Sequence, residues 1–185
     1  MKSGARALGI AESFRDDTST LAGVVVRASR VVDGFTFTSC TVGGTDSTAA
    51  VVDLFEQLGR EDVRYLLVAG IAPAWFNVLD LRRIHEAVER PVLSVTFEAS
   101  PGLESALREA FDGDALERRL ATYRAQPERR SVTINGETVY VRSVGVDDGE
   151  ANDVIRAFTP EGGRPEPVRV ARLAARAAED FRETA

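Results

Sequence analysis

The stretch FTFTSCTVGGTD, from Phe35 to Asp46, is the place where the hydrophobic period of the chain changes. Apolar and polar residues alternate from Phe35 to Val42, which is typical of a β-strand. Beyond GGTD the apolar positions follow the period of a helix instead; they are Ala50, Val51, Leu54, Phe55 and Leu58. The stretch therefore separates a region of consecutive strands from one in which helices and strands alternate.

Two further strands precede this stretch. Arg6–Ile10 is short and apolar, and Leu21–Ala28 has the sequence LAGVVVRA. The pair Asp33-Gly34 has turn-forming residues and lies between the second strand and the third. Three consecutive strands joined by short links predict an antiparallel meander.

Helices and strands alternate after the stretch. Asp46 or Ser47 can cap the next helix, and Gly59 can end it. Val63–Val68 returns to the strand pattern, and Pro91–Phe97 is a strand apolar enough to be covered on both faces. Between these two strands, one helical face carries Leu81, Ile84 and Val88. The order from the third strand onward is therefore β-α-β-α-β.

The rest of the chain adds helices and one hairpin. Asn135-Gly136 is a strong two-residue turn signal, and helical periodicity occurs on both sides of it, around Leu103–Phe111, at Leu116, Leu120 and Tyr123, near Glu150–Phe158 and over Val168–Phe181. We predict an α/β fold with a ribonuclease H-like mixed sheet, in which three antiparallel strands precede alternating helices and parallel strands, with an added hairpin and C-terminal helices. A flavodoxin-like sheet is the alternative, and residues 1–185 are expected to form one domain.

The composition restricts the chemistry. Cys40 and His85 are the only cysteine and the only histidine, so an internal disulfide is excluded and a metal site must use carboxylates, which favour Mg²⁺ or Mn²⁺. No apolar run reaches the roughly 18 residues of a membrane span, and the N-terminal segment lacks the apolar core of a signal peptide. We therefore expect a cytoplasmic protein with no membrane partner.

The charge of the chain bears on its partners. Lys2 is the only lysine among 23 basic residues, and 29 acidic residues give a net charge of −6. This usage is typical of a salt-adapted archaeon, although a GC-rich genome also favours arginine. A negative charge ordinarily argues against nucleic acid as the partner, because phosphate neutralisation supplies most non-specific affinity. In molar salt that argument weakens, and stacking and short-range hydrogen bonds must carry recognition.

Four segments, in this order, resemble the archaeal endonuclease dU family, which is related to endonuclease V. They are ALGIAESF, VVDG followed by GGTDST, AGIAPAWFNVLDL and GRPEPVRVARLAAR. The most specific parts are Phe76–Asp80 and Pro165–Ala171, and the latter is similar to the Pro-Glu-Pro-x-Arg segment of endonuclease V. The resemblance covers nearly the whole chain and implies metal-dependent cleavage of nucleic acid near a deaminated base.

Four positions depart from the pattern of that family. The resemblance implies an acid or another metal-site residue at each, whereas this chain has Ala11, Gly43, Ala69 and Arg172. Neither a methyl group nor a guanidinium can bind a divalent cation. Arg172 can instead hold a phosphate without a metal.

Three acids near these positions are the candidate catalytic residues: Glu12, Asp46 and Asp80. Glu12 and Asp46 are also the candidate ligands of Mg²⁺ or Mn²⁺. Each acid has a structural alternative. On a regular strand Glu12 points away from the face of Ala11, Asp46 can cap a helix, and Asp80 lies where negative charge suits a helix dipole.

The candidate nucleic-acid-binding residues are Trp75, Asn77, Arg169 and Arg172. Trp75 follows a strand at the rim where open α/β sheets bind ligands, and an exposed aromatic there can stack on a base. Asn77 belongs to the Phe76–Asp80 segment. Arg169 and Arg172 share one face of the last helix. The structural alternatives are a hydrophobic staple for Trp75 and a solvated charged face for the arginines.

Two functions remain open from the sequence. One is a divalent-metal endonuclease that acts on deaminated DNA or RNA. The other is a non-catalytic nucleic-acid-binding or scaffold relative of that enzyme, which needs no metal. The family favours the first and the four substituted positions favour the second, while the oligomeric state is not indicated.

Overall fold

The computed structural model describes residues 1–184. Its strands are β1 (Arg6–Arg15), β2 (Thr18–Arg27), β3 (Val32–Thr41), β4 (Val63–Ala69), β5 (Val92–Thr96), β6 (Arg130–Ile134) and β7 (Glu137–Val144). Its helices are α1 (Ser47–Leu58), the single turn α2 (Pro73–Phe76), α3 (Leu81–Val88), α4 (Glu104–Ala110), α5 (Gly113–Arg124), α6 (Asp148–Phe158) and α7 (Glu166–Thr184). Within this part of the chain, no helix has the length and apolarity that crossing a membrane would require.

The strands form one mixed sheet in the order β3-β2-β1-β4-β5-β7-β6. The first three are an antiparallel meander, and β4 and β5 run parallel to β1. The hairpin of β6 and β7 extends the sheet, with β7 antiparallel to β5. This topology confirms the predicted ribonuclease H-like sheet, and its antiparallel meander excludes the flavodoxin-like alternative.

Helices cover both faces of the sheet. On one face, α1 and α3 pack on the sheet through apolar side chains that include Leu8, Ile10, Leu54 and Ile84. On the opposite face, Ala7 packs in the cluster under α6, and Ala11 packs against α7. Successive residues of β1 thus alternate between the two faces, as a pleated strand requires.

The predicted turn at Asp33-Gly34 is wrong. Both residues lie inside β3, where Gly34 pairs with Val25 and the register then shifts so that Val32 pairs with Val26. The chain reverses earlier, between the end of β2 and the start of β3. A shift in register leaves an unpaired residue and a local kink, and Asp33 is that residue.

Ion pairs hold Asp33 at this irregularity. Arg6 Nε lies 2.6 Å from its carboxylate, Arg27 Nη2 lies 2.9 Å away and Arg60 Nη2 lies 3.1 Å away. Asp62 also pairs with Arg60, at 2.8 Å. We call these five residues the Asp33 cluster; it lies at the end of the sheet where β1 and β4 begin.

The start of α7 lies directly on β1. A Cβ atom at Gly9 would overlap the backbone of Pro167, so only glycine allows this approach. The segments ALGIAESF and PEPVRVARLAAR, far apart in sequence, therefore meet here. The contact fixes α7 across the middle of the sheet and sets which of its side chains reach the carboxyl ends of β4 and β5.

Candidate nucleic-acid interface

Methyl groups occupy neighbouring positions of the two central strands, at the carboxyl end of β4 and in the middle of β1, which continues to Arg15 and does not end at Ile10 as predicted. Ala11 of β1 is buried and packs with Val24, Val26 and Ala171. Ala69, the last residue of β4, contacts the same cluster. The alanines thus fill the space between the sheet and α7 with carbon, and leave no side-chain oxygen there.

A cleft of about 660 Å³ opens beside Ala69. Its lining comes from the ends of β4 and β5, from β7 and from one face of α7, and it includes Arg129, Arg142, Arg164, Arg169, Arg172 and Arg176. Among the described residues that line it, Glu98 is the only acid. We call this region the arginine cleft. Its excess of positive charge contrasts with the net negative charge of the chain.

One wall of the arginine cleft has arginines that are fixed in place. The Arg129 guanidinium lies 4.1 Å from the ring centre of Tyr140 and donates to Thr96 Oγ1 at 2.8 Å. Arg142 lies 5.6 Å from the ring centre of Tyr123, and burial lowers the pKa of its guanidinium. Cation–π contacts orient these side chains without neutralising their charge.

The other wall is the exposed face of α7. Arg169 forms a two-point ion pair with Glu166, at 2.8 and 2.6 Å. Arg172 and Arg176 are exposed, and within residues 1–184 neither forms a hydrogen bond or an ion pair. These two guanidiniums are therefore free to bind an anion in the cleft.

Each of the three acids predicted as catalytic has a hydrogen-bond partner inside the fold. Glu12 is half-buried and accepts a hydrogen bond from Ser19 Oγ at 2.8 Å. Asp80 caps α3, because it accepts from the backbone N–H groups of Arg82 and Arg83, both at 3.1 Å. In the described chain, no three His, Cys, Asp or Glu side chains converge as metal ligands would. Glu12, Asp46 and Asp80 therefore do not form one shared metal site.

Asp46 stands at the N-cap position of α1 but its side chain does not cap the helix. Its carboxylate instead accepts from Thr41 N at 3.1 Å and from Asn77 Nδ2 at 2.7 Å. Burial disfavours the charged form, but the hydrogen bonds from Asn77 and Thr41 outweigh it and lower the pKa of Asp46. Asp46 therefore does not cap α1 as predicted, and instead links the end of β3 to the residue that follows α2.

Asn77 is fully buried and takes over the capping role. Its Oδ1 accepts from Ser47 N at 3.0 Å, and its Nδ2 donates to Thr41 O at 2.8 Å. Ser47 Oγ returns a hydrogen bond to the Asn77 carbonyl at 2.9 Å. The amide is used entirely inside the fold, which does not support the contact with nucleic acid predicted for Asn77.

The turn α2 is left-handed. Ala74, Trp75 and Phe76 have φ values of 48°, 52° and 62°, and this conformation costs about 1–2 kcal/mol for each residue with a side chain. Gly43 N holds the turn by donating to Ala74 O at 2.7 Å. Strain of this kind persists only where the surroundings enforce it.

Arg119 of α5 provides much of that enforcement. It is buried, donates to Phe76 O at 3.2 Å and to Gly44 O at 3.0 Å, and also bonds Gly43 O. Its guanidinium lies 3.8 Å from the ring centre of Phe111. One arginine therefore joins α5, the Gly43-Gly44 loop and the left-handed turn.

The comparison with protein families supports what the four sequence segments indicated. A family model described as Endonuclease dU matches residues 3–179. The chain belongs to the endonuclease dU family. A UPF0215 protein of Pyrobaculum aerophilum is 34% identical over 180 residues, which cover 96% of each chain. A UPF0215 protein of Thermococcus kodakarensis is 35% identical over 166 residues, covering 89% of this chain and 83% of that one.

The fold is similar to those of two solved structures, one of which is an endonuclease V. A crystal structure of a protein of unknown function from Archaeoglobus fulgidus has a TM-score of 0.83 at 27% identity and covers 94% of this chain and 97% of its own. Ciona intestinalis endonuclease V, in complex with a 24mer DNA containing an inosine, has a TM-score of 0.65 at 10% identity, with coverages of 96% and 87%. The second likeness establishes a shared ribonuclease H-like fold.

The residues of this member of the endonuclease dU family do not fit a divalent cation at the positions where the family resemblance implies one. Ala11 and Ala69 contribute methyl groups, and Arg172 contributes a positive charge. A Cβ atom at Gly43 would lie 2.8 Å from Trp75 Cε3, so no acidic side chain fits there either. Mg²⁺ and Mn²⁺ require several converging oxygen atoms.

Sequence reasoning missed half of the arginine cleft. Arg164 is the second residue of the segment GRPEPVRVARLAAR but was not among the candidates, whereas Arg129 and Arg142 lie outside the four family-like segments. Their only local signal is aromatic residues nearby in the hairpin, such as Tyr140. Their convergence depends on β7 pairing with β5, which no local pattern specifies.

Proposed function

We propose that this member of the endonuclease dU family binds nucleic acid through the arginine cleft, and that metal-dependent cleavage is lost or strongly reduced. The observation that carries the proposal is the arrangement at the carboxyl ends of the strands. Six arginines and one acid line the cleft there, while beside it Ala69 ends β4 and Ala11 lies next to it on β1. The site is suited to holding a phosphate and unsuited to holding a cation.

The phosphate-binding role follows from the guanidinium group. Arginine presents a planar set of donors that matches two phosphate oxygens at once. Arg172 and Arg176 have no acceptor within residues 1–184, so a backbone phosphate gains contacts without breaking existing ones. Arg129 and Arg142, held by their aromatic partners, add a fixed positive potential on the facing wall.

The test is binding and cleavage measured in parallel. Fluorescence anisotropy with labelled DNA and RNA oligonucleotides, with and without deoxyuridine or deoxyinosine, should give the same affinity with EDTA as with Mn²⁺. Gel electrophoresis of the same mixtures should show no cut strand. Arg172→Ala should weaken binding, whereas Arg64→Ala, an exposed residue at the opposite end of β4 from Ala69, should not. Multiple-turnover cutting by the wild type would refute the loss of cleavage.

A reversal variant tests the missing ligands directly. Ala11→Asp with Ala69→Asp places two carboxylates at neighbouring positions of β1 and β4, so this variant should bind Mn²⁺ by calorimetry while the wild type does not. Ala11→Asn with Ala69→Asn is the matched control, because it introduces similar volume without charge. Equal Mn²⁺ binding by the wild type would show that other carboxylates already supply a site.

Metal-dependent cleavage is the second candidate, and one observation favours it. Burial raises the pKa of the Cys40 thiol to about 12, and the charges of Asp46 and Glu12 also contribute to this rise. Ser19, which donates to Glu12, pairs with Cys40. Thr41, whose N–H donates to Asp46, follows Cys40 in β3, so both carboxylates lie near Cys40. If wild-type protein cuts a deaminated strand with Mg²⁺ or Mn²⁺, Glu12→Ala should abolish the cutting and Glu12→Gln should not restore it.

A further inference from the structure

Trp75 is the only tryptophan of the chain and is half exposed, at 50%. Its ring packs against two other aromatic rings, with centroid distances of 5.8 Å to Phe76 and 5.2 Å to Phe111. Phe76 and Phe111 also contact one another edge to face, at 6.2 Å. The indole is thus supported by an aromatic cluster and still reaches solvent.

The backbone that displays Trp75 is strained and held in place. It lies in the middle of three consecutive left-handed residues with side chains, a conformation that the chain adopts only where contacts enforce it. Two elements enforce it: Arg119, which binds the Phe76 carbonyl, and Gly43, whose lack of a side chain leaves room for the indole. A tryptophan needed only for core packing would not require a strained turn that leaves it half exposed.

The aromatic cluster adjoins the arginine cleft. Ala72, three residues before Trp75, lines the cleft. Leu103 and Tyr123 line the cleft as well, and both pack in the cluster that contains Phe76 and Phe111. Leu103 and Tyr123 thus connect the aromatic cluster beneath Trp75 to the lining of the arginine cleft.

We propose that Trp75 is a stacking platform for an unpaired base, so that the preferred ligand is a single strand or a nucleotide turned out of its duplex. The inference rests on the proposed nucleic-acid-binding function. A base inside a regular duplex has both faces covered by its neighbours, so only an unstacked base can lie on an indole. Stacking contributes without charge and persists in high salt, where the arginine contacts weaken.

The single tryptophan makes the test direct. Titration with an unlabelled single-stranded oligonucleotide should quench the emission of Trp75, and the same sequence as a blunt duplex should bind more weakly and quench less. Trp75→Ala should lower the single-strand affinity about 10-fold, and Trp75→Phe should retain most of it. Phe35→Ala removes an equally exposed aromatic, 54% exposed on β3, and should leave the affinity unchanged.

The possible outcomes distinguish the stacking role of Trp75 from the proposed nucleic-acid binding by the arginine cleft. If anisotropy shows binding that Arg172→Ala weakens, while Trp75 emission does not change and Trp75→Ala binds like the wild type, the stacking role is wrong and the proposed function stands. If duplex and single strand bind equally and quench equally, the preference for an unpaired base is wrong. If no oligonucleotide binds, the proposed function fails and the stacking role with it. Because quenching is read on the wild type, a Trp75→Ala variant that misfolds does not prevent the decision.

Discussion

Two groups of arginines lie at opposite ends of the sheet and differ in how their charge is balanced. In the Asp33 cluster, Arg6, Arg27 and Arg60 surround a carboxylate that accepts from all three. In the arginine cleft, six arginines face one acid, and three of them, Arg164, Arg172 and Arg176, have no acceptor in the described chain. The first group therefore joins segments of the fold, whereas the second has guanidiniums available to bind an anion.

The difference has a physical basis. Balanced charges at a strand end reduce the repulsion between guanidiniums and join β1, β2 and β3 to the loop before β4. Unbalanced guanidiniums repel one another and so raise the free energy of the unbound protein. A bound anion relieves that repulsion. Residues of the Asp33 cluster should therefore affect stability, and residues of the arginine cleft should affect binding.

The double variant Arg172→Ala with Arg176→Ala should give the largest effect. We expect a loss of about 10- to 100-fold in single-strand affinity at low salt, because two phosphate contacts are removed. The slope of log affinity against log salt should decrease by about 1.4. Anisotropy at several salt concentrations measures both quantities. A melting temperature close to that of the wild type is required, since a large decrease would mean that these arginines support the fold.

Asp33→Asn should produce the opposite pattern. The variant keeps the shape of the side chain but leaves three guanidiniums close together with Asp62 as the only countercharge of the cluster, so the melting temperature should fall by several degrees, and by less at high salt. The affinity for oligonucleotides should not change. Asp53→Asn, an exposed position on α1, is the control. Weaker nucleic-acid binding by Asp33→Asn would remove the distinction between the two ends of the sheet.

The pH dependence of stability should reveal the same junction. Hydrogen bonds from Arg27 and then Arg6 hold the pKa of Asp33 far below its usual range. A carboxyl with a lowered folded pKa stabilises the protein above its unfolded pKa, about 3.9, and this stabilisation is lost as the pH falls toward the folded pKa. Urea unfolding should therefore show stability falling below about pH 5, and less steeply in Asp33→Asn. Parallel curves for the two proteins would contradict this contribution.

The two ends of the sheet were also unequally predictable from the sequence. The mixed sheet could be predicted from the hydrophobic periodicity of the strands and helices, because each element has its own local pattern. The substituted positions Ala11 and Ala69 were found because the family resemblance pointed to them. The partners of Asp33 were missed because the Asp33-Gly34 pair has turn chemistry, and only its pairing with β2 places it inside a strand. The aromatic partners in the cleft, such as Tyr140, depend on long-range pairing of β7 with β5.

Arg169 is the intermediate case and should show the smallest effect. It lines the arginine cleft, but Glu166 binds it at two points, and this hydrogen bonding lowers the pKa of the Glu166 carboxyl. Arg169→Ala should therefore weaken oligonucleotide binding by no more than about 2-fold, well below the effect of Arg172→Ala. Glu166→Gln should release the guanidinium and strengthen binding about 2- to 5-fold. If Arg169→Ala instead matches Arg172→Ala, an internal countercharge does not determine which arginines bind, and position along α7 alone does.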